Sequence, residues 1–335
     1  MPVFLSYRSS LKYWRSDAPY YAQELLVAPA FGVALDDCTT SVYALRDKTR
    51  LFADDSVFDI LVGGRAARRH AAGLSVRMLS LPLPDGSFYQ VERDVYACSP
   101  ELTFALAAAD LPLRSLVALG LELCGTYSLF GDSSAAVKRA RITDAASIAS
   151  YLDKIPGLVG AKAARRALRC IRDGSASPRE TDLFMMLCLP TKAGGFGLPA
   201  AHLNRTMRVP AHAQSLTGLT AITPDLFWPD HGIALEYEST ESHGAYASTR
   251  ELYGINQRKL ASDSERRRTY EAMHVKALTV TNGEFASYSD MRRIAGLIAR
   301  LMGKHSLSSS VEVEFRRSQL HAWLKVPAQD RDDIC

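Results

Sequence analysis

Asp225, Glu236 and Glu238 stand out for their spacing around one turn. They belong to the stretch Ile222-Thr223-Pro224-Asp225-Leu226-Phe227-Trp228-Pro229-Asp230-His231-Gly232-Ile233-Ala234-Leu235-Glu236-Tyr237-Glu238. Two short apolar runs flank Pro-Asp-His-Gly, the pattern of a β-hairpin. A loop centred between Asp230 and His231 pairs Asp225 with Glu236 across the strands. Side chains alternate faces with period two, so Glu238 shares the face of Glu236, and Asp225 joins them. Leu226, Trp228, Ile233, Leu235 and Tyr237 take the opposite face, which reads as core. Three carboxylates on one sheet face repel one another and cost on the order of several kcal/mol to desolvate. A divalent cation is the simplest partner for them, and the expectation is that all three gather within reach of one ion.

The elements that must position this hairpin lie on both sides of it. Upstream, Ser177-Pro178-Arg179-Glu180 has the form of a helix start: a serine cap, proline in the first turn and glutamate at the capping-box position. That helix runs through Leu187 and Cys188 and stops before Pro190. The loop Gly194-Gly195-Phe196-Gly197 leads to a strand near His202 to Val209. Downstream, a charged helix over about Ile255 to Met273 carries Arg258, Lys259, Asp263, Arg266, Arg267 and Arg268. Val275 to Val280 reads as a buried strand, Thr281-Asn282-Gly283-Glu284 as a turn, and Tyr288 to Met302 as an amphipathic helix. The tail from His305 to Cys335 reads as polar and at best partly ordered.

The first part of the chain reads as a strand and a helix near Phe4 to Arg15, capped by Ser9 or Ser10. Short strands follow at Phe58–Val62, Val76–Leu83, Ser87–Arg93 and Asp94–Cys98. Helices from Pro100, with Ser99 as cap, and over Leu113–Leu123 complete a small α+β domain of residues 1–135. Residues 136–176 read as a helical connector, 177–303 as an α/β domain, and 304–335 as the tail.

Composition sets outer limits. The 335 residues suffice for two domains, and 47% hydrophobic with 23% charged residues is ordinary for a globular protein. The net charge of +4 permits nucleic-acid binding without requiring it. Six scattered cysteines with no CxxC pair argue against zinc and against a disulfide framework, and they suit a reducing cytoplasm. No signal sequence and no run of 18 apolar residues is present, so neither a membrane location nor a membrane partner is expected.

The order of helix, strands, carboxylate hairpin, helix, strand and helix resembles the PD-(D/E)XK nuclease fold. More narrowly, it is similar to the very-short-patch-repair (Vsr)-like endonuclease domains found C-terminal in many actinobacterial proteins. The likeness spans about Ser177 to Met302 and rests on Ser177-Pro178-x-Glu180, Pro224-Asp225, Glu236-x-Glu238, His243 and Asp263-x-x-Arg266. The resemblance implies a central mixed sheet flanked by helices and a magnesium- or manganese-dependent DNA endonuclease. It makes Asp225, Glu236 and the Tyr237 carbonyl the metal ligands, and Glu238 a further ligand or the base. Glu180 becomes an outer ligand nearby, and Arg266, Arg267, Arg258 and Lys259 become phosphate contacts, with His243 and Asp263 accessory. Glu238 stands where the name-giving lysine would be, which is compatible with the alternative of an inactive nucleic-acid-binding or antitoxin-like regulator. Residues from Val3 to about Leu129 resemble the regions that precede such domains, similar to AbiEi-type antitoxins. Tyr13-Trp14-Arg15 and Ser99-Pro100-Glu101 carry that likeness, which implies a regulatory domain with a protein partner. Arg65, Arg68 and Arg69 form a smaller basic cluster there, and Trp14, Trp228 and Trp323 read as packing residues.

Overall fold

The computed structural model describes residues 2–16, 35, 57–65, 72–129, 136–238, 262–304, 306–307 and 310–331. The chain divides into two compact units, Met1–Ile171 with Pro327–Cys335, and Arg172–Val326. Both mix helices with sheets of mixed strand direction. No described helix is long and apolar enough to cross a membrane.

The first unit is built on strand β1 (Val3–Leu5), whose residues are all fully buried. It is followed by helix α1 (Tyr7–Arg15) and strands β2 (Phe58–Val62), β3 (Leu74–Met78), β4 (Phe88–Glu92) and β5 (Val95–Cys98). The sheet order is β3-β2-β1-β5-β4, with β1 antiparallel to β2 and parallel to β5. Neither Ser9 nor Ser10 caps α1. Ser6 holds that position, Ser10 Oγ donates to the Leu5 carbonyl and accepts from Cys98 N, and Ser9 Oγ accepts from Asp59 N. The two hydroxyls therefore tie the helix to three strands. Helix α2 (Pro100–Ala107) starts as expected, with Ser99 Oγ accepting from Leu102 N.

Helix α3 (Leu113–Leu123), strands β6 (Tyr127–Ser128) and β7 (Val137–Lys138), and helices α4 (Ala145–Lys154) and α5 (Ala161–Leu168) finish the unit. Of residues 136–176, expected as a connector, 136–171 cluster with this unit and 172–176 with the second. Ile148, Leu152 and Ile155 on one side and Ala164, Ala167 and Ile171 on the other are fully buried. Such stripes need a partner, and α2 and α3 supply it.

In the second unit, helix α6 (Pro178–Cys188) buries Leu183, Phe184, Met185, Met186 and Leu187, and Ser177 Oγ accepts from Glu180 N. The strand expected over His202 to Val209 is two pieces, β8 (His202–Leu203) and β9 (Met207–Arg208). The chain breaks between them at Asn204, which adopts a left-handed φ of 47°. Helix α7 (Ala211–Thr217) and strand β10 (Ala221–Ile222), paired with β9, follow. Then come β11 (Leu226–Trp228), a tight turn over Pro229–His231, and β12 (Ile233–Glu238). Helix α8 covers residues 262–272 and strand β13 spans Lys276–Thr281.

The main sheet has the order β13-β12-β11-β8: three antiparallel strands, then β13 parallel to β12. β13 is an edge strand with Lys276, Ala277 and Thr279 exposed, not the buried strand the apolar run suggested. Thr281–Glu284 is no turn either. Thr281 and Glu284 form a reciprocal capping box that opens helix α9 (Asn282–Ala286), ahead of α10 (Tyr288–Leu301). The expected polar tail contains helix α11 (Val311–Lys325), which buries Leu320, Leu324, His321 and Arg317. The Arg317 guanidinium lies 4.9 Å from the centre of the Phe196 ring and donates to Glu314 at 2.9 Å, so a charged residue serves as core.

Gly195 makes the packing beside α6 possible. A Cβ there would lie 2.1 Å from the Leu189 carbonyl oxygen, so the backbone would have to move. Gly195→Ala is expected to destabilise the second unit by about 3 kcal/mol, read as a shift in the denaturant midpoint.

Candidate functional site

The hairpin register decides where the carboxylates point. Leu226 pairs with Leu235, Phe227 with Ala234 and Trp228 with Ile233, the register read from the sequence. Asp225, one residue before β11, therefore faces Glu236, with Cβ atoms about 5 Å apart in such a pair. Deeper on the same face, Phe227 and Ala234 join Val209, Ala213, Ile222 and Tyr270 in an apolar cluster. The face is thus apolar at the turn end and acidic at the open end.

Each carboxylate has its own support. Asp225 Oδ2 accepts from Tyr237 N at 2.6 Å. Amide and carbonyl of one strand residue point the same way, so the Tyr237 carbonyl is turned to the Asp225 side as well. Glu236 Oε1 accepts from both the Arg266 guanidinium and the Tyr270 hydroxyl, and Arg266 also donates to the Thr223 carbonyl at 3.1 Å. Among the described residues, Asp225 Oδ1 and Glu236 Oε2 accept no hydrogen bond. Glu180, only 8% exposed, is fully engaged: Oε1 accepts from Ser177 Oγ, and Oε2 from Ala176 N and the Asn204 side-chain amide. Its side chain folds back on its own helix start, as a capping residue does. Glu238 is half-buried at the end of β12, on the face of Glu236.

The charges are felt across the site. Burial, then the neighbouring charge of Glu180, push the Asp225 carboxyl up to about 7; Glu236 adds to this, and the Tyr237 amide and Arg266 oppose it. Burial also raises Glu180 above the usual carboxylate range. Burial works against the Arg266 charge, yet Glu236 holds its pKa above the ordinary arginine value. Tyr270 is raised by burial and by its bond to Glu236, so it remains a donor. Carboxylates from α6, β12 and the entry to β11 thus influence one another in a poorly solvated region, with the Arg266 guanidinium to offset them.

The expected gathering of Asp225, Glu236 and Glu238 around one ion is not found. Among the described residues, no three Asp, Glu, His or Cys side chains are grouped to hold a metal. Glu180 is committed to its cap. What remains is a pair of open oxygens, Asp225 Oδ1 and Glu236 Oε2, beside the Tyr237 carbonyl. All are hard donors of the kind magnesium and manganese take, and such ions keep several waters. The donor set fits such an ion in its chemistry.

Glu236 and Glu238 line a cleft of about 1020 Å³ together with Asp263, Arg266, Arg267 and Tyr270. Asp263 does not pair with Arg266, its neighbour one turn on; the guanidinium is turned to Glu236 instead. Arg268 is exposed and donates to Ser264 O. His243, Arg258 and Lys259 lie outside the described residues, as do Arg68 and Arg69, while Arg65 is exposed. Trp14 and Trp228 are buried packing residues. Sequence reasoning missed Tyr270 and Asn204. Tyr270 stands four residues after Arg266, on the same helix face, and that spacing was the available signal. Asn204 had none.

No family model, no curated protein and no solved structure matches the chain.

Proposed function

We propose that the chain is a divalent-cation-dependent endonuclease that hydrolyses phosphodiester bonds of DNA, of the Vsr-like PD-(D/E)XK type. The observation that carries this reading is the pair of carboxylates, Asp225 and Glu236, on opposed positions at the open end of β11 and β12, each with one oxygen, Oδ1 and Oε2, that accepts no hydrogen bond among the described residues. The mixed sheet β13-β12-β11-β8, with α6 before its hairpin and α8 between β12 and β13, supports it. So does the 1020 Å³ cleft with Arg266 and Arg267 in its wall.

In this reading Asp225, Glu236 and the Tyr237 carbonyl would hold magnesium or manganese, which would supply Lewis acidity toward the phosphate and lower the pKa of a water. The Tyr237 amide fixes Asp225, leaving its other oxygen free. Tyr270 fixes the Glu236 rotamer in the same way. Glu238, on the same strand face, takes the proton of the attacking water in place of a lysine that would have oriented it. Arg266 and Arg267 receive phosphate charge.

One observation favours a second reading, a nucleic-acid-binding regulator without catalysis. Arg266 already neutralises Glu236, as a guanidinium would in a site that had given up its metal. A supercoiled plasmid incubated with purified protein separates the two. The nuclease reading expects nicked or linear DNA with magnesium or manganese and none with EDTA. Gel-shifted but intact DNA under all conditions contradicts it and supports the regulator.

A further inference from the structure

Helix α5, in the first unit, carries Lys162, Arg165 and Arg166, and Arg169 is its C-cap. No acidic residue occurs from Ala161 to Arg169. Ala161, Ala164 and Ala167 face the core, while Lys162, Arg166 and Arg169 are exposed. Their spacing of four and three residues lines them along one helix face.

Helix stability does not account for this set. Cations in the last turn suit the negative end of the macrodipole, which covers Arg165 and Arg166. Lys162 is in the first turn, where a cation opposes the dipole, and that turn has no acid to offset it. Arg165 is held in place, donating to the Leu152 carbonyl at 2.6 Å with Asp153 at 3.8 Å. Lys162 and Arg166 make no ion pair with any described residue. The helix is also rigidly mounted. Gly160 precedes it at φ 92°, and a Cβ there would meet the Ala109 amide nitrogen at 2.7 Å.

We propose that this face of α5 binds the phosphate backbone of duplex DNA, a sequence-independent contact made by the first unit. Lys162 to Arg169 spans about 10 Å along the helix axis. One DNA strand presents a phosphate about every 3.4 Å of duplex axis, so about three lie within that length. Cations on a helix whose own sequence holds no acid, on a mount that does not yield, suit a polyanion of fixed spacing. The choice of DNA as the polyanion rests on the nuclease reading; the surface itself does not.

The test is fluorescence anisotropy of a labelled duplex with the full chain in EDTA, across a salt series. Each lost phosphate contact reduces the slope of log Kobs against log salt by about 0.9. The Lys162→Gln, Arg166→Gln, Arg169→Gln variant is expected to show a slope shallower by about 2 to 3 and, at about 100 mM salt, binding weaker by roughly 10-fold or more. Lys162→Glu guards against a folding artefact, because on dipole grounds it stabilises the helix yet should still weaken binding. Wild-type slope and affinity in both variants overturn the proposal. So does a wild type without salt-dependent duplex binding, or a loss confined to phosphatidylserine vesicles. Binding that depends on α5 without any cleavage sinks the nuclease reading alone. Cleavage with binding indifferent to α5 sinks this inference alone.

Discussion

Glu236→Ala is expected to lower magnesium-dependent DNA cleavage by about 100-fold or more, while leaving the protein folded and able to bind DNA. Glu236 is half-buried, at the open end of its face beyond the apolar cluster of Phe227, Ala234 and Tyr270, so truncation removes a hydrogen-bond acceptor of Tyr270 but no apolar side chain. It removes one of the two open oxygens and releases Arg266 and Tyr270 from their shared acceptor. The companion variant Arg266→Gln is expected to behave in the opposite sense toward metal. The guanidinium neutralises Glu236, so its removal leaves Glu236, Asp225 and Glu180 with less opposing charge and raises affinity for manganese. The same variant should lower stability without metal and recover it when manganese is added, since binding to the folded state alone stabilises it. Parallel rate assays and thermal unfolding with and without manganese check both variants. Wild-type cleavage by Glu236→Ala would remove this residue from the site.

Glu122→Ala is expected to destabilise the first unit by about 3 to 5 kcal/mol, because it removes the buried carboxylate that both Arg15 and the Leu129 amide bond. Glu122 is 1% exposed and takes both arms of Arg15, at 2.9 Å and 2.7 Å, and the Leu129 amide at 3.2 Å. Arg139, also buried, bonds the Glu122 and Trp14 carbonyls at 2.8 Å and 2.9 Å. Burial alone would raise the Glu122 pKa, but Arg15 and its hydrogen bonds, Arg139 and the Leu129 amide together hold it below the ordinary value. A carboxyl depressed on folding contributes stability above its unfolded pKa and loses it as pH falls through the folded value. Acid unfolding of this unit should therefore set in below the ordinary glutamate pKa of about 4.3, and Glu122→Ala should flatten that dependence. Arg15→Met combined with Glu122→Leu should recover part of the loss, since apolar replacement of a buried pair is often tolerated. Chemical denaturation at neutral and acidic pH reads all of this.

The hairpin was the most legible part of the chain because two independent signals agree there. The Pro-Asp-His-Gly turn sets the loop, and period-two alternation sets the faces; a slip of one residue would have buried Glu236 and exposed Leu235. The start of α6 was legible for the same reason, with cap, proline and glutamate in their places. Its consequence was less so, because a glutamate that closes its own cap and leans on Asn204 is spent as a ligand. The partners of Glu236 depend on how α8 lies over the sheet, and no local pattern encodes that. Helix α11 was missed because its buried side includes Arg317 and His321, which read as surface residues until Phe196, Glu314 and the Phe285 carbonyl are seen around them. The Arg15–Glu122 pair joins residues far apart in the chain, so neither one signals the other. The boundary after Ile171 was missed because small alanines, not large apolar residues, make the packing stripe of α5.

Titration of manganese into the metal-free protein, followed by calorimetry in parallel for wild type and Asp225→Asn, tests the central claim most directly. Wild type should bind manganese in a process that Asp225→Asn loses or weakens by about 10-fold or more, with the fold of the variant intact. Equal binding by both proteins, or none by wild type, would contradict the assignment of Asp225 and Glu236 as the two faces of a cation site.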